Sequence, residues 1–341
     1  MGLQLNGQIV AEDILAVTRL DPNRDVYLLV GAVDKIVIKR DIATNPAMQF
    51  NALQAARIMK VVSPTVATRN VSFAEIQAVL MWVKEEMRST KGPADPDLVA
   101  FDASMMRAYS PPRPEHMRHH NNSQSGFNNV GWIKTTFYEG LTNLESAAQK
   151  ARDKGDKSGI RAIAAALSAP GGLEALGEIL AMDAFNGNID RFDMSPNPQG
   201  DKGCRRLVNI GNVAVCLQNG VIKPVGMDPF SADSNLGDVT KKGMPGLERP
   251  GLPREEWTGY RLMPDQRPWR IKFCEDVAWD LEHMLGPRNR VIRGLATNRL
   301  PRDAALRLAA GMDMGTARLK TRLLAMRDQR RAPPRLISAI V

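Results

Sequence analysis

Cysteine is scarce. Three occur in 341 residues, Cys204, Cys216 and Cys274. They cannot all pair, and no two are close enough in sequence for a CxxC metal site, so neither a disulfide framework nor a cysteine-based metal centre organises the chain. Long apolar runs are missing too: none approaches the ~18 residues that would span a bilayer. The opening MGLQLNGQIVAEDILAV places acids where a secretory signal needs a basic head and an apolar stretch. Asn6 stands where a myristoylation signal needs Ser or Thr. Sec export is therefore not expected; cytoplasmic residence or delivery by a specialised secretion system is. Repeats and low-complexity tracts are also lacking. With 43% apolar and 24% charged residues, the composition is that of a folded globular chain.

Charge is unevenly divided. The formal net charge is +9. Residues 286–341 hold 13 Arg or Lys against Asp303, Asp313 and Asp328, a surplus of +10, so the remainder is near neutral. A basic tail attracts acidic partners. It contains no Phe, Tyr or Trp, so it offers no platform for stacking nucleic-acid bases. A protein substrate with an acidic surface is the favoured partner, ahead of nucleic acid or an anionic membrane surface. The alternative is a solvated helix face, with Leu295, Leu300, Leu306, Leu308, Leu319 and Leu323 as its buried positions.

The hydropathy pattern changes along the chain. Residues 25–40, DVYLLVGAVDKIVIKR, predict a hairpin of Val26–Val30 and Lys35–Lys39 around a Gly-containing turn. Asn45 and Pro46 then open a helix over 46–60, and 61–69 read as extended. Residues 71–88 have helical periodicity. Residues 89–130, rich in Pro, Asn, Ser and His, predict a long inserted loop. Strand character resumes at 131–139. From 141 the chain turns helical, and GGLEALGEILAMDAF puts Leu173, Leu176, Ile179, Leu180 and Met182 on one broad face. A polar loop, NGNIDRFDMSPNPQG, comes next. A second hairpin, 212–216 with 221–228, turns at Asn219-Gly220. After a Gly/Pro-rich stretch over 231–268, helices fill the rest. The expected class is α+β: a small β-rich part at 1–136, with an inserted loop near 89–130, and a larger helical part at 137–341.

Chemistry concentrates around Asn186-Gly187-Asn188-Ile189-Asp190-Arg191-Phe192. An Asp in a loop after a buried helix can take a proton from a hydroxyl nucleophile. Asn212 heads the next strand and Asp228 ends its partner; a carboxamide and a carboxylate at facing strand ends suit Mg²⁺, which wants hard oxygen ligands. Phosphoryl transfer needs these parts together with a Lys on the phosphates, and Lys39, ending the strand run IVIK, supplies one. Lys35 is its nearest competitor but sits at the turn. Asn and Asp are also common turn formers, and a strand-edge Lys is often merely solvated.

LGEILAMDAFNGNIDRF, NIGNVAVC and VIKPVGMDPF together resemble the catalytic segment of actin-fragmin kinase-type atypical kinases. That family shares its two-lobed protein-kinase-like fold with type II phosphatidylinositol 4-kinases and HipA-like kinases. The resemblance runs through roughly 25–60 and 131–230. It implies an ATP- and Mg²⁺-dependent phosphotransferase, most simply a protein serine/threonine kinase, with ATP between the lobes. Asp190 would be the catalytic Asp. Asp228 and Asn212 would hold the metal, with Asn209 a lesser candidate. Lys39 would hold the phosphates, and Phe137, Tyr138 and Glu139 of FYEG would contact adenine through their backbone. The pattern departs in three places. No Glu lies between 42 and 60 to orient Lys39, so Gln49 or Gln54 would have to substitute; the glycine-rich loop is reduced to Gly31; and Pro-Phe, not Phe-Gly, comes after Asp228. These departures leave room for a catalytically inactive binding module, and the acceptor could equally be a lipid or small molecule. His116, His119 and His120 cluster beside Glu115, but Pro and Asn around them read as a loop. Walker A, Rossmann and HExxH patterns are absent.

Overall fold

In the computed structural model the described residues are 2–21, 25–42, 56–61, 69–90, 94–109, 130–188, 190–194, 198, 200, 203–227, 260–285 and 300–328. The class is α+β, with a β-rich N-terminal region and a helical C-terminal region. The chain divides into two compact units: Met1–Gln49 with Ala67–Phe137, and Phe50–Val66 with Tyr138–Val341. The division between consecutive residues at 137/138 lies one residue beyond the expected boundary, and the segment 50–66 groups with the second unit.

The first unit is built on a five-stranded antiparallel sheet of order β1-β2-β3-β5-β4. Its strands are β1 (Ala16–Asp21), β2 (Val26–Val30), β3 (Lys35–Ile42), β4 (Arg69–Asn70) and β5 (Val130–Thr136). The expected hairpin is present as β2–β3, registered Val26 to Lys39 and Val30 to Lys35. Alternation sends Tyr27, Leu29, Ile36 and Ile38 into the core. Two helices supply the other side of that core. Helix α1 (Phe73–Ser89) begins with a capping box between Ser72 and Glu75 and buries Ile76, Val79 and Val83, one helical face.

Helix α2 (Pro96–Tyr109) lies where a long loop was expected. Proline is the reason: Pro96 occupies the first helical position, where its missing N–H costs nothing, and Asp95 accepts at the helix start from Asp97 N–H (2.8 Å) and Val99 N–H (3.0 Å). Phe101 of α2 meets Tyr27 edge-to-face at 5.0 Å and Trp132 at 5.7 Å. Of the helix expected over 46–60, residues 56–59 are helical and 46–55 lie outside the described residues, as does the histidine cluster at 116–120.

The second unit carries β6 (Thr142–Asn143), α3 (Leu144–Lys154), α4 (Ser158–Ser168), α5 (Gly172–Asn186), β7 (Val213–Gln218), β8 (Val221–Gly226), α6 (Arg267–Leu285) and α7 (Ala304–Asp328). Strands β6, β7 and β8 form a three-stranded antiparallel sheet. The β7–β8 turn is the expected Asn219-Gly220, both with positive φ, as a two-residue hairpin turn requires. Helix α5 is buried nearly all round, not on one face. Its packing against α7 is close enough to bring backbones together: a Cβ on Gly177 would lie 2.2 Å from the Leu308 carbonyl oxygen, and one on Gly311 2.1 Å from that of Glu174.

Helix α7 buries Ala304, Leu308, Met312 and Leu319. Leu306, expected in the core, is 64% exposed because it sits two residues off that stripe. Two basic side chains of the tail are half-buried and paired: Arg307 donates to both carboxylate oxygens of Glu174 (2.9 and 3.0 Å), and Arg318 to Glu178 (2.6 Å). Helix α5 thus supplies counter-charges that a count of acids within 286–341 does not register. Among the described residues no single helix is long and apolar enough to cross a membrane.

Candidate active site

The candidate site grows from the end of α5. Gly187 takes the left-handed conformation that stops the helix. Asn188 N–H then donates back to the Asp183 carbonyl (2.8 Å) and its side-chain amide to the Asp183 carboxylate (3.1 Å). Asn188 Oδ1 accepts from Asp190 N–H (3.1 Å), forming the turn that presents Asp190. The Asp190 carboxylate oxygen Oδ2 receives Asn212 Nδ2 at 2.9 Å and Asn209 Nδ2 at 3.3 Å. Residues far apart in sequence are therefore gathered around one carboxylate.

Arg191 ties this cluster to the hairpin. Its guanidinium is buried and donates to Asp183 Oδ2 (2.7 Å), to the Asn212 carbonyl and to the Met227 carbonyl (2.5 Å). The head of β7 and the residue after β8 are thus fastened to the same side chain. Burial pushes the Asp183 carboxyl up from its ordinary value, while Arg191 and the Asn188 amide pull it back.

The return segment is fixed equally firmly. Phe192 bridges to Leu207, and Val208 N–H donates to the Arg191 carbonyl (3.1 Å). The buried Asp280 carboxylate of α6 accepts from the backbone N–H groups of Arg205, Arg206 and Leu207 at 2.7–2.8 Å. A carboxylate holding three consecutive amides sets a loop as rigidly as a secondary-structure ladder.

Of the residues singled out in the sequence, the structure brings Asp190, Asn209 and Asn212 into one cluster. Asp228 lies outside the described residues; the carbonyl of its predecessor, Met227, is the one held by Arg191. In the second unit Tyr138 packs on Ala214, Cys216 and Val225, and the Glu139 carbonyl accepts from Leu217 N–H (3.1 Å), which commits part of the expected adenine-contacting backbone to the sheet.

Lys39 belongs to the first unit. It is half-buried on β3, opposite Val26 and Ile133, on the face away from Ile36 and Ile38. Lys35 lies 5.4 Å from the Phe137 ring centroid. Gly31 is buried in the β2–β3 turn, where a Cβ would press on the Asp13 carbonyl at 3.0 Å and on Leu3 at 3.1 Å, so packing alone accounts for a glycine there. The buried helix carboxylate of this unit comes from α1: Glu75 pairs with Lys134 of β5 at 2.5 Å, and Lys134 also donates to the Gly7 carbonyl. Burial raises the Glu75 carboxyl, but Lys134, Ser72 and Ile9 donate to it and outweigh burial, leaving it below its usual range.

The sequence pattern did not mark Asp183 or Asp280, and it gave Asn188 and Arg191, which lie in the stretch it singled out, no organising role of their own. The one sequence signal of Asp183 and Asp280 is polarity inside largely apolar stretches, LAMDAF and VAWDL. Among the described residues no group of three or more His, Cys, Asp or Glu is placed to hold a metal ion. The oxygen donor offered here is of another kind. With its amide nitrogen on Asp190, Asn212 directs its carbonyl oxygen elsewhere, and a neutral hard oxygen beside a carboxylate suits Mg²⁺. The chain matches no protein-family model, no curated protein and no solved structure.

Proposed function

We propose that this protein is an ATP- and Mg²⁺-dependent phosphotransferase of two-lobed, protein-kinase-like architecture that transfers the γ-phosphoryl group to a serine or threonine hydroxyl of a protein. The observation that carries the reading is the contact between the Asp190 carboxylate and the Asn212 carboxamide, joined through Arg191 to the residue preceding Asp228. Phosphoryl transfer asks the protein mainly for positioning and charge stabilisation, and a rigid carboxylate next to an oxygen-rich strand end provides both. Asp190 accepts the proton of the attacking hydroxyl. Asn212 and Asp228 are the residues that would hold Mg²⁺, which when bound neutralises charge on the phosphates. Lys39 enters as the phosphate-holding cation on the strength of its sequence motif. The substrate's acidic surface is inferred from the basic tail.

A second reading, a kinase-like binding module without transfer, is favoured by one observation: Glu75, the buried helix carboxylate of the first unit, is committed to Lys134. One experiment separates the two. The protein is incubated with γ-labelled ATP, Mg²⁺ and a cell lysate, alongside Asp228→Ala. Transfer of label to protein that disappears in the variant supports the enzyme. Mg²⁺-dependent ATP binding without transfer supports the module. Transfer unchanged in the folded variant overturns the assignment of Asp228.

A further inference from the structure

The two asparagines that touch Asp190 are not equivalent. Asn209 has both ends of its side-chain amide engaged: Oδ1 accepts from Gly211 N–H at 2.9 Å, and Nδ2 donates to Asp190 Oδ2 at 3.3 Å. The first bond closes a turn over the short 3-10 segment Ile210–Asn212, and in doing so it fixes the amide's orientation. A planar amide with its oxygen bound to a backbone N–H can show only its N–H₂ group to the far side. From the geometry we infer that Asn209 is a positioning residue for Asp190: it is held as a permanent donor that sets the direction in which the carboxylate faces, and it is not a metal ligand.

Three observations support this division. Both asparagines converge on Oδ2, so the Asp190 carboxylate is gripped on one oxygen, which leaves Oδ1 to face the attacking hydroxyl. Asp190 N–H is tied to Asn188 Oδ1, so backbone and side chain are each restrained from a different element. Asn212, by contrast, has its backbone carbonyl on Arg191 and its N–H on the Asn209 carbonyl (3.2 Å), which leaves the oxygen of its amide for a cation. The turn that orients Asn209 also delivers Asn212 to the head of β7, so one local structure sets both residues.

The inference rests on the phosphotransferase reading, and its test keeps the two apart. Three proteins are compared over ATP and Mg²⁺ concentrations rising to saturation: the full-length wild type, Asn209→Ala and Asn209→Asp. Folding of each is checked by thermal melting. Asp caps such a turn as well as Asn does, so a residue needed only for the turn would tolerate Asn209→Asp and suffer from Asn209→Ala.

A positioning donor behaves in the opposite way. Removing a hydrogen bond to a charged group lowers kcat by about tenfold to a hundredfold in Asn209→Ala, with KM for ATP little changed. Asn209→Asp loses more, because it exchanges the donor for a second carboxylate that repels the first. A wild-type rate in Asn209→Asp overturns the inference while leaving the phosphotransferase reading intact, as does a rise in the KM for Mg²⁺–ATP without a fall in kcat, which would make Asn209 a ligand. Absence of phosphoryl transfer by the wild type overturns the reading itself, and the inference with it.

Discussion

Replacing Arg191 by Met tests whether one buried cation assembles the candidate site. The side chains of Arg191 and Asp183 are each only 1% exposed. In the variant, Asp183 keeps the Asn188 amide but loses its cation, while the carbonyls of Asn212 and Met227 lose a shared donor. Removing one partner of a buried pair costs about 3–5 kcal/mol, set against a total stability of roughly 5–15 kcal/mol for a folded domain. The penalty depends on pH with a definite sign. Asp183 is already raised by burial, and without Arg191 it rises further. A carboxyl whose folded-state value lies above its unfolded value, about 3.9, contributes fully below that pH and loses the contribution as pH climbs through the folded value. The variant is therefore expected to be penalised less at about pH 5 than at about pH 8. Urea denaturation at both pH values measures this. The double variant Arg191→Met with Asp183→Asn should recover much of the loss, since no uncompensated charge remains. A loss below about 1 kcal/mol at the higher pH, or no recovery in the double variant, refutes the reasoning.

Two further outcomes come from the packing. Lys134→Met leaves Glu75 buried without its cation and should cost about 3–5 kcal/mol near neutral pH; because Glu75 sits below its usual range in the wild type, its contribution is present above about pH 4.3 and lost as pH falls through the lower folded value, so the gap between variant and wild type in denaturation midpoint should narrow in acid. Gly311→Ala should destabilise the α5–α7 contact by about 3 kcal/mol, because the added Cβ would lie 2.1 Å from the Glu174 carbonyl oxygen and a backbone atom cannot swing aside; a thermal midpoint equal to that of wild type would show that the helices separate easily.

The elements legible in the sequence were those whose signal is local. The β2–β3 hairpin, the Asn219-Gly220 turn, helix α1 with its periodicity over 71–88 and the apolar α5 all declare themselves within a short window of residues. Helix α2 did not. Pro96 acts as a breaker or as a helix start according to the residues after it, and among those Phe101 is held by a non-local aromatic contact with Tyr27 and Trp132. The pairing of two tail arginines was out of reach for the same reason: Glu174 and Glu178 lie more than a hundred residues from Arg307 and Arg318, which they meet. At the candidate site, residue types and order pointed to Asp190 and Asn212. That Asn209 spends its oxygen on Gly211, that Arg191 is buried and that Asp280 grips three amides are facts of tertiary geometry with no periodicity to reveal them.

The central claim is that Asp190 accepts a proton during phosphoryl transfer. Its most direct measurement compares single-turnover transfer of labelled γ-phosphate from ATP by the wild type and by Asp190→Asn, an isosteric change that keeps an oxygen for Asn209 and Asn212 but removes the base. The expected result is Mg²⁺-dependent transfer by the wild type and a loss of at least about a hundredfold in the variant, with ATP binding and melting temperature retained. Equal transfer by both proteins, or none by the wild type in the presence of ATP, Mg²⁺ and a lysate of potential acceptors, would contradict it.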